Sequence, residues 1–231
     1  MKWGLPTNLV YTLTNMSGLG ESVVKQLHKR ELYIDLDLRK FSQFEENQFG
    51  ADIGIVLKTQ TSEHSVEKAI LLQAKRLKPD NSGYFSPTSK YDELIEKRGL
   101  DQAKKMLSIT PASFFILYNP PIPSSRVIMN FVINTDTSRM TNIAESDITP
   151  VYLSGCDDIT ILPALTRVGW RREGTINKIH KFTSPFSSFM VDDFFQGKVG
   201  DSSSTTKKVA YGEDENNPIR YSLRINIGEA D

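Results

Sequence analysis

Two short apolar runs joined by a polar segment, within residues 44–76, most constrain how this chain can fold. The runs are ADIGIVL at 51–57 and KAILLQAKR at 68–76. Runs of this length and composition predict buried β-strands, and the polar segment between them, 58–68, predicts a loop or a wide hairpin turn. We therefore expect an antiparallel hairpin in which the start of the first strand lies beside the end of the second.

Polar side chains interrupt the apolar pattern at one end of this hairpin. Asp52 begins the first strand, and Gln73 and Lys75 close the second. Side chains alternate along a strand, so Gln73 and Lys75 share a face, and antiparallel pairing brings Asp52 close to them. An acid, an amide oxygen and an ammonium at one sheet edge suit a divalent metal, and the Ala74 carbonyl adds an oxygen. Taken singly, Asp52 also fits a turn cap after Gly50, and Gln73 and Lys75 fit the polar end of a strand.

Asp52, followed after a loop by Gln73-Ala74-Lys75 on the next strand, resembles the motif of the PD-(D/E)XK nuclease superfamily. The variant with Gln in place of the second acid is similar to that of Holliday-junction resolvases and of restriction enzymes that cut modified DNA. The wider string GADIGIVL…ILLQAKRLKP, followed by QAKKML and FFILYN, is similar to bacterial proteins assigned to that superfamily. The resemblance covers residues 17–135 and is best over 44–119. Ala51 stands where the general motif has a proline.

The resemblance implies an α/β fold of the restriction-endonuclease-like type, a mixed central sheet flanked by helices. The sequence has no internal repeat and no convincing linker, so we expect a single domain over 1–231. Within it, the resemblance implies a nuclease-like core over about 17–135 and leaves a C-terminal extension over about 136–231. The implied reaction is phosphodiester hydrolysis in DNA, dependent on Mg²⁺ or Mn²⁺, in a bacterial or phage defence or repair context.

By the same resemblance, the metal would be held by Asp52, Gln73 and the Ala74 carbonyl, and Lys75 would assist the attacking water. An acid from the first helix usually joins such a site. Glu21, in a predicted helix over 17–32, and Glu46, just before the turn that leads to Asp52, both fit this role, and the choice between them stays open.

Basic residues, interleaved with Tyr84, Phe85 and Tyr91, follow the hairpin from Lys75 to Lys105. They predict contacts to a nucleic-acid backbone beside the metal site, although a solvated loop explains the same composition. Gln102 enters through the resemblance, as the polar residue that related proteins often place on the following helix. The predicted nucleic-acid contacts are Arg76, Lys78, Lys90, Gln102 and Lys104.

The remaining elements follow from periodicity and turn chemistry. We expect a long loop over 77–99 with one helical turn around Tyr91–Ile95, and a flexible loop over 202–217. The other predicted elements are strands at 33–38, 114–119, 126–133 and 221–227, helices at 100–108 and 187–195, and strands or turns within 147–165.

Charge and cysteine content narrow the classes of function. Lys+Arg and Asp+Glu both number 28, so the chain lacks the bulk basic field of many nucleic-acid-binding proteins. A single cysteine, Cys156, excludes an intramolecular disulfide and favours a reducing cytoplasm. No signal-peptide pattern and no apolar run long enough to span a bilayer is present, so we expect no membrane association.

Two other interpretations stay open. The missing second acid and the zero net charge favour a catalytically silent nuclease-fold module that binds nucleic acid or a partner protein. A hydrolase of another nucleotide-like phosphoester would use the same metal chemistry. Many enzymes of this fold act as homodimers, which no feature of this sequence decides.

Overall fold

The described part of the chain forms one eight-stranded, open, mixed sheet with helices packed against it, which confirms the predicted α/β class. The computed structural model describes residues 32–41, 50–62, 65–78, 90–91, 93–119, 159–169, 179 and 182–229. The strand order is β1-β8-β2-β3-β5-β6-β7, and β4 pairs with β3. The strands are β1 (Leu32–Lys40), β2 (Ile53–Gln60), β3 (Ser65–Lys78), β4 (Lys90–Tyr91), β5 (Ser113–Tyr118), β6 (Ile159–Pro163), β7 (Ser184–Pro185) and β8 (Tyr221–Glu229). The helices are α1 (Lys97–Ile109), α2 (Ala164–Gly169), α3 (Phe186–Ser188), which continues as a π-helix over Phe189–Phe194, and α4 (Ser204–Ala210).

The predicted hairpin is present as the antiparallel pair β2–β3, in register from Ile53 opposite Leu72 to Gln60 opposite Ser65. Its loop is shorter than predicted. Polar residues at 58–60 and 65–67 keep their places in the ladder, because backbone hydrogen bonds do not require apolar side chains. The polar composition therefore led to a predicted first strand that ends too early and a predicted second strand that begins too late.

Helix α1 is the crossover between the parallel strands β3 and β5. In such a unit the helix runs back against the strands, so its N-terminus lies at the carboxyl ends of both strands. This is the end of the sheet that carries Gln73 and Lys75. The predicted helical turn around Tyr91–Ile95 is instead the short strand β4 and a turn over 93–96 that leads into α1.

The sheet has an apolar core on each side. On one side, which we call the α1 face, Val56, Leu71 and Phe115 pack with Met106 of α1 and Val209 of α4. On the other side, which we call the π-helix face, the buried residues come from β2, β3, β5, β6, β8 and the π-helix. The central strands are buried on both faces, and for that reason their sequences are continuous apolar runs. Those runs are the pattern from which the strands were predicted.

Helix α4 lies in the segment 202–217 that was predicted to be a flexible loop, so that prediction was wrong. Ser203 caps the helix by accepting a hydrogen bond from the Thr206 backbone N–H. Thr206, Val209 and Ala210 then form a buried stripe at helical spacing. The surrounding segment is rich in Ser, Thr and Lys, and this composition predicted a loop because the buried stripe is only three residues long.

The predicted C-terminal extension, over about 136–231, contributes strands to the same sheet. It supplies β6, β7 and β8, and β8 lies between β1 and β2, parallel to β2 and antiparallel to β1. Strand periodicity predicted β8 itself, but periodicity carries no information on which strands a segment lies between. The predicted first helix at 17–32, apart from Leu32 in β1, and the predicted strand at 126–133 lie outside the described residues. None of the described helices has the length and apolar composition to cross a bilayer.

Candidate active site at the open end of the hairpin

The backbone of Asp52 is fixed by strands on both of its sides. Its N–H donates to the Leu72 carbonyl of β3 at 2.8 Å, and its carbonyl accepts from the N–H groups of Arg220 and Tyr221, both at 2.9 Å. The start of β8 therefore holds Asp52 in place, although these residues are far apart along the chain. A side chain on so constrained a backbone is well placed for a preorganised site.

The Asp52 side chain contacts the end of β3. Its Oδ2 atom accepts hydrogen bonds from the Gln73 side-chain amide and from the Ala74 backbone N–H, the latter at 3.0 Å. The backbone hydrogen bonds between β2 and β3 end at Asp52. Beyond that point the Ala74 N–H has no β2 carbonyl opposite it and donates to the Asp52 carboxylate instead. The predicted convergence of Asp52, Gln73 and Ala74 is thus present.

Lys75 lies on the same face of β3 as Gln73, and both side chains are buried, at 4% and 6% exposure. Lysine is among the residues least often buried in proteins, so this position is unusual for a strand end. Lys75 does not lie on an exposed sheet edge, because β5 pairs with β3 at this residue.

The donor set suits a hard divalent cation in its chemistry and is poor in charge. Asp52 offers a carboxylate, and rotation of the Gln73 amide would exchange its nitrogen for its oxygen beside Asp52. No three His, Cys, Asp or Glu side chains come together as a metal-binding group within the described part of the chain. Glu21 and Glu46, the two predicted acidic ligands, lie outside the described residues.

The predicted nucleic-acid contacts do not share one surface. Arg76 and Lys78 are exposed and alternate with Lys75, so they lie on the π-helix face of β3. Lys90 of β4 is directly opposite Lys78, which puts two like charges side by side. Lys104 is exposed on α1 and Gln102 is half-buried there, with its side-chain oxygen buried. The structure thus places the predicted basic contacts on both sides of the sheet.

Tyr118 and Tyr221 also border this end of the sheet, and the sequence interpretation missed them. Tyr118 is the last residue of β5, and its hydroxyl is buried without a hydrogen-bond partner among the described residues. Burial, followed by the negative charge of Asp52 and by Tyr221, raises the pKa of Tyr118 well above its ordinary value. The sequence contained a signal for Tyr118, because Tyr118 and Asn119 end the run FFILYN with polar groups, as Gln73 and Lys75 do in their own strand.

The turn before α1 is held by a buried arginine. Arg167 of α2 donates hydrogen bonds to the backbone carbonyls of Leu94, Ile95 and Glu96. Desolvation lowers the pKa of Arg167. This contact fixes the start of α1.

The chain matches the model of a family of unknown function, DUF6615, over residues 17–216. It belongs to that family. The matched segment contains the whole β2–β3 hairpin and ends before β8. No curated protein and no solved structure matches the chain.

Proposed function

We propose that this DUF6615 protein is a metal-dependent nuclease that hydrolyses phosphodiester bonds in DNA. The observation that carries the proposal is the convergence of the Asp52 carboxylate, the Gln73 amide and the Ala74 backbone at the end of the hairpin, with buried Lys75 beside Gln73. The resemblance of this spacing to the PD-(D/E)XK motif supports the same reaction. As part of the proposal, the protein acts in the cytoplasm, in a defence or repair context.

In the proposed site, Asp52, the Gln73 side-chain oxygen and the Ala74 carbonyl would hold Mg²⁺ or Mn²⁺, and Glu21 or Glu46 would complete the set. When bound there, such a cation would supply Lewis-acid chemistry, activating a water and offsetting negative charge on the phosphate. The Lys75 ammonium orients the attacking water and stabilises the charge that develops on the phosphate oxygens. The three backbone hydrogen bonds of Asp52 keep its carboxylate in position, so that little reorganisation accompanies the reaction.

The test is cleavage of labelled DNA and RNA by the purified full-length protein with Mg²⁺ or Mn²⁺. We expect Asp52→Ala and Lys75→Met each to lower the cleavage rate by roughly 100-fold or more, the usual effect of removing a group that stabilises the transition state. Matched controls are Asp35→Asn on β1 and Lys58→Met at the far end of β2, both exposed and distant from the site. Cleavage that persists in Asp52→Ala or Lys75→Met contradicts the proposal.

The sparse acidic groups favour a second candidate, a catalytically silent module that binds DNA. Calorimetric titration with Mn²⁺ separates the two candidates. The nuclease binds Mn²⁺ in a manner that Asp52→Ala abolishes, whereas the silent module binds DNA and shows no Mn²⁺ binding that depends on Asp52. Sedimentation of the protein with and without DNA would show whether it acts as a homodimer.

A further inference from the structure

The buried hydroxyl of Tyr118 points to a second contact with the ligand of this site. Five buried side-chain polar atoms lack a hydrogen-bond partner among the described residues, and the Tyr118 hydroxyl is the one at the end of β5. Leaving a buried donor unpaired costs free energy, and native proteins rarely tolerate it without a reason. A ligand that supplies the missing acceptor is one such reason.

Tyr118 has a cationic neighbour on the same face. The parallel register of β3 and β5 pairs Tyr118 with Arg76, and paired residues of adjacent strands project to the same side of a sheet. Arg76 is exposed, and Tyr118 packs at the border of the π-helix core. A guanidinium and a phenol side by side are two hydrogen-bond donors that suit one phosphate group.

This pair lies across the sheet from Lys75. Gln73 and Lys75 project to the α1 face, whereas Arg76 and Tyr118 project to the π-helix face, and the Asp52 carboxylate lies at the edge between them. Asp52 accepts from the Ala74 N–H, and Tyr118 pairs with Arg76 two residues further along β3, so both side chains lie at the same end of the sheet. A polyanion that passes over this edge would meet both groups of donors.

We propose that Tyr118 and Arg76 form a subsite for a phosphate of the bound DNA strand next to the phosphate that lies at Asp52. This inference rests on the proposed function and extends it, because it assigns a donor to the π-helix face. An ordinary phenol is protonated near neutral pH, so the Tyr118 hydroxyl is available there as a hydrogen-bond donor. The contact is to a phosphate, so it adds affinity without base specificity.

The experiment measures binding of a fluorescently labelled DNA duplex to the full-length protein in EDTA, by anisotropy at several salt concentrations. We expect Tyr118→Phe to weaken binding by roughly tenfold, as the loss of one hydrogen bond to a charged group does. The slope of log affinity against log salt should not change, since a phenol is neutral. Arg76→Ala should weaken binding and also reduce the slope by about one.

Thermal unfolding separates this role from a structural one. Removing an unpaired buried hydroxyl should leave the melting temperature of Tyr118→Phe equal to or above that of the wild type. Tyr211→Phe gives the opposite pattern, because the Tyr211 hydroxyl bonds to Glu67 away from the site, and its loss should lower stability without affecting DNA binding. Tyr33→Phe, exposed on β1, should change neither.

Each outcome bears on one proposal or the other. If Tyr118→Phe binds DNA more weakly and the wild type cleaves no substrate, the subsite proposal is supported and the nuclease proposal is contradicted. If the wild type cleaves DNA and Tyr118→Phe binds DNA as tightly as the wild type does, the subsite proposal is contradicted and the nuclease proposal is supported. A lower melting temperature for Tyr118→Phe, or no DNA binding by the wild type, overturns the subsite.

Discussion

At the scale of single residues, Lys68, the second buried lysine of β3, illustrates how a buried amine lowers the free energy of unfolding. Lys68 is as buried as Lys75, but it lies at the other end of the strand and on the π-helix face. Its stem crosses Gly200, and its Nζ atom is 5.2 Å from the centroid of the Phe194 ring. The amine has no hydrogen-bond partner among the described residues, so a weak cation–π contact is the compensation that these residues provide.

We expect Lys68→Met to raise the free energy of unfolding by about 1 kcal/mol near neutral pH, because a polar group leaves an apolar site. Burial lowers the pKa of Lys68 from its ordinary value of 10.5. The folded protein therefore binds this proton more weakly than the unfolded chain does, and the wild type loses stability as the pH falls from about 10.5.

The measurement is urea denaturation of both proteins near neutral pH and at about pH 10, where the advantage of Lys68→Met should shrink. Lys58→Met, which alters an exposed lysine of β2, should leave stability within about 0.5 kcal/mol at both pH values. An advantage of Lys68→Met that is the same at both pH values would contradict the assigned cause.

At the scale of elements, Gly54 sets the distance between β2 and α4. A Cβ atom at this position would lie 2.4 Å from the Cα and carbonyl oxygen of Ala210, and neither backbone atom can move without displacing the helix. Ser222 fixes the same point from β8, since its hydroxyl donates to the Ala210 carbonyl at 2.8 Å. The close approach is therefore built into three elements at once.

We expect Gly54→Ala to lower the free energy of unfolding by roughly 1–3 kcal/mol, the usual cost of overpacking a core. Gly169→Ala is the matched control, because no described atom lies within 4 Å of the added Cβ, and its effect should stay within about 0.5 kcal/mol. Chemical denaturation of both variants checks the pair. Equal stability of Gly54→Ala and the wild type would mean that α4 does not pack as closely as the structure has it.

The sequence predicts some elements better than others. An element is predicted well when its own residues carry the pattern, and poorly when its stability comes from packing against other elements. The hairpin, β5 and β8 were predicted because each carries its pattern within its own residues. Helix α4 was not, because its stripe is three residues long and its stability comes from packing on β2 rather than from helix propensity. The Asp52–Gln73 contact followed from the register of one hairpin, whereas the contributions of Tyr118 and Tyr221 to the site needed the order of strands across the sheet.

At the scale of the whole molecule, the last strand completes the centre of the sheet. Strand β8 pairs with both β1 and β2, and Leu223 and Ile225 are buried in the core of the π-helix face. The N–H groups of Arg220 and Tyr221 hold the Asp52 carbonyl. The fold and the candidate site thus both depend on residues near the C-terminus.

Because β8 is the strand that pairs with both β1 and β2, its removal would leave β1 without its partner and expose an edge of β2. We therefore expect a chain that stops after Ile219 to lose cooperative unfolding by circular dichroism, together with any Mn²⁺ binding that depends on Asp52. A full-length Leu223→Ala variant tests the same strand more gently and should cost about 2–5 kcal/mol, whereas Leu38→Ala, its exposed cross-strand partner, should cost much less. A truncated chain that still unfolds cooperatively would show that β1 and β2 can pair without β8. In that case the hydrogen bonds to the Asp52 carbonyl would not be needed to fix the candidate site.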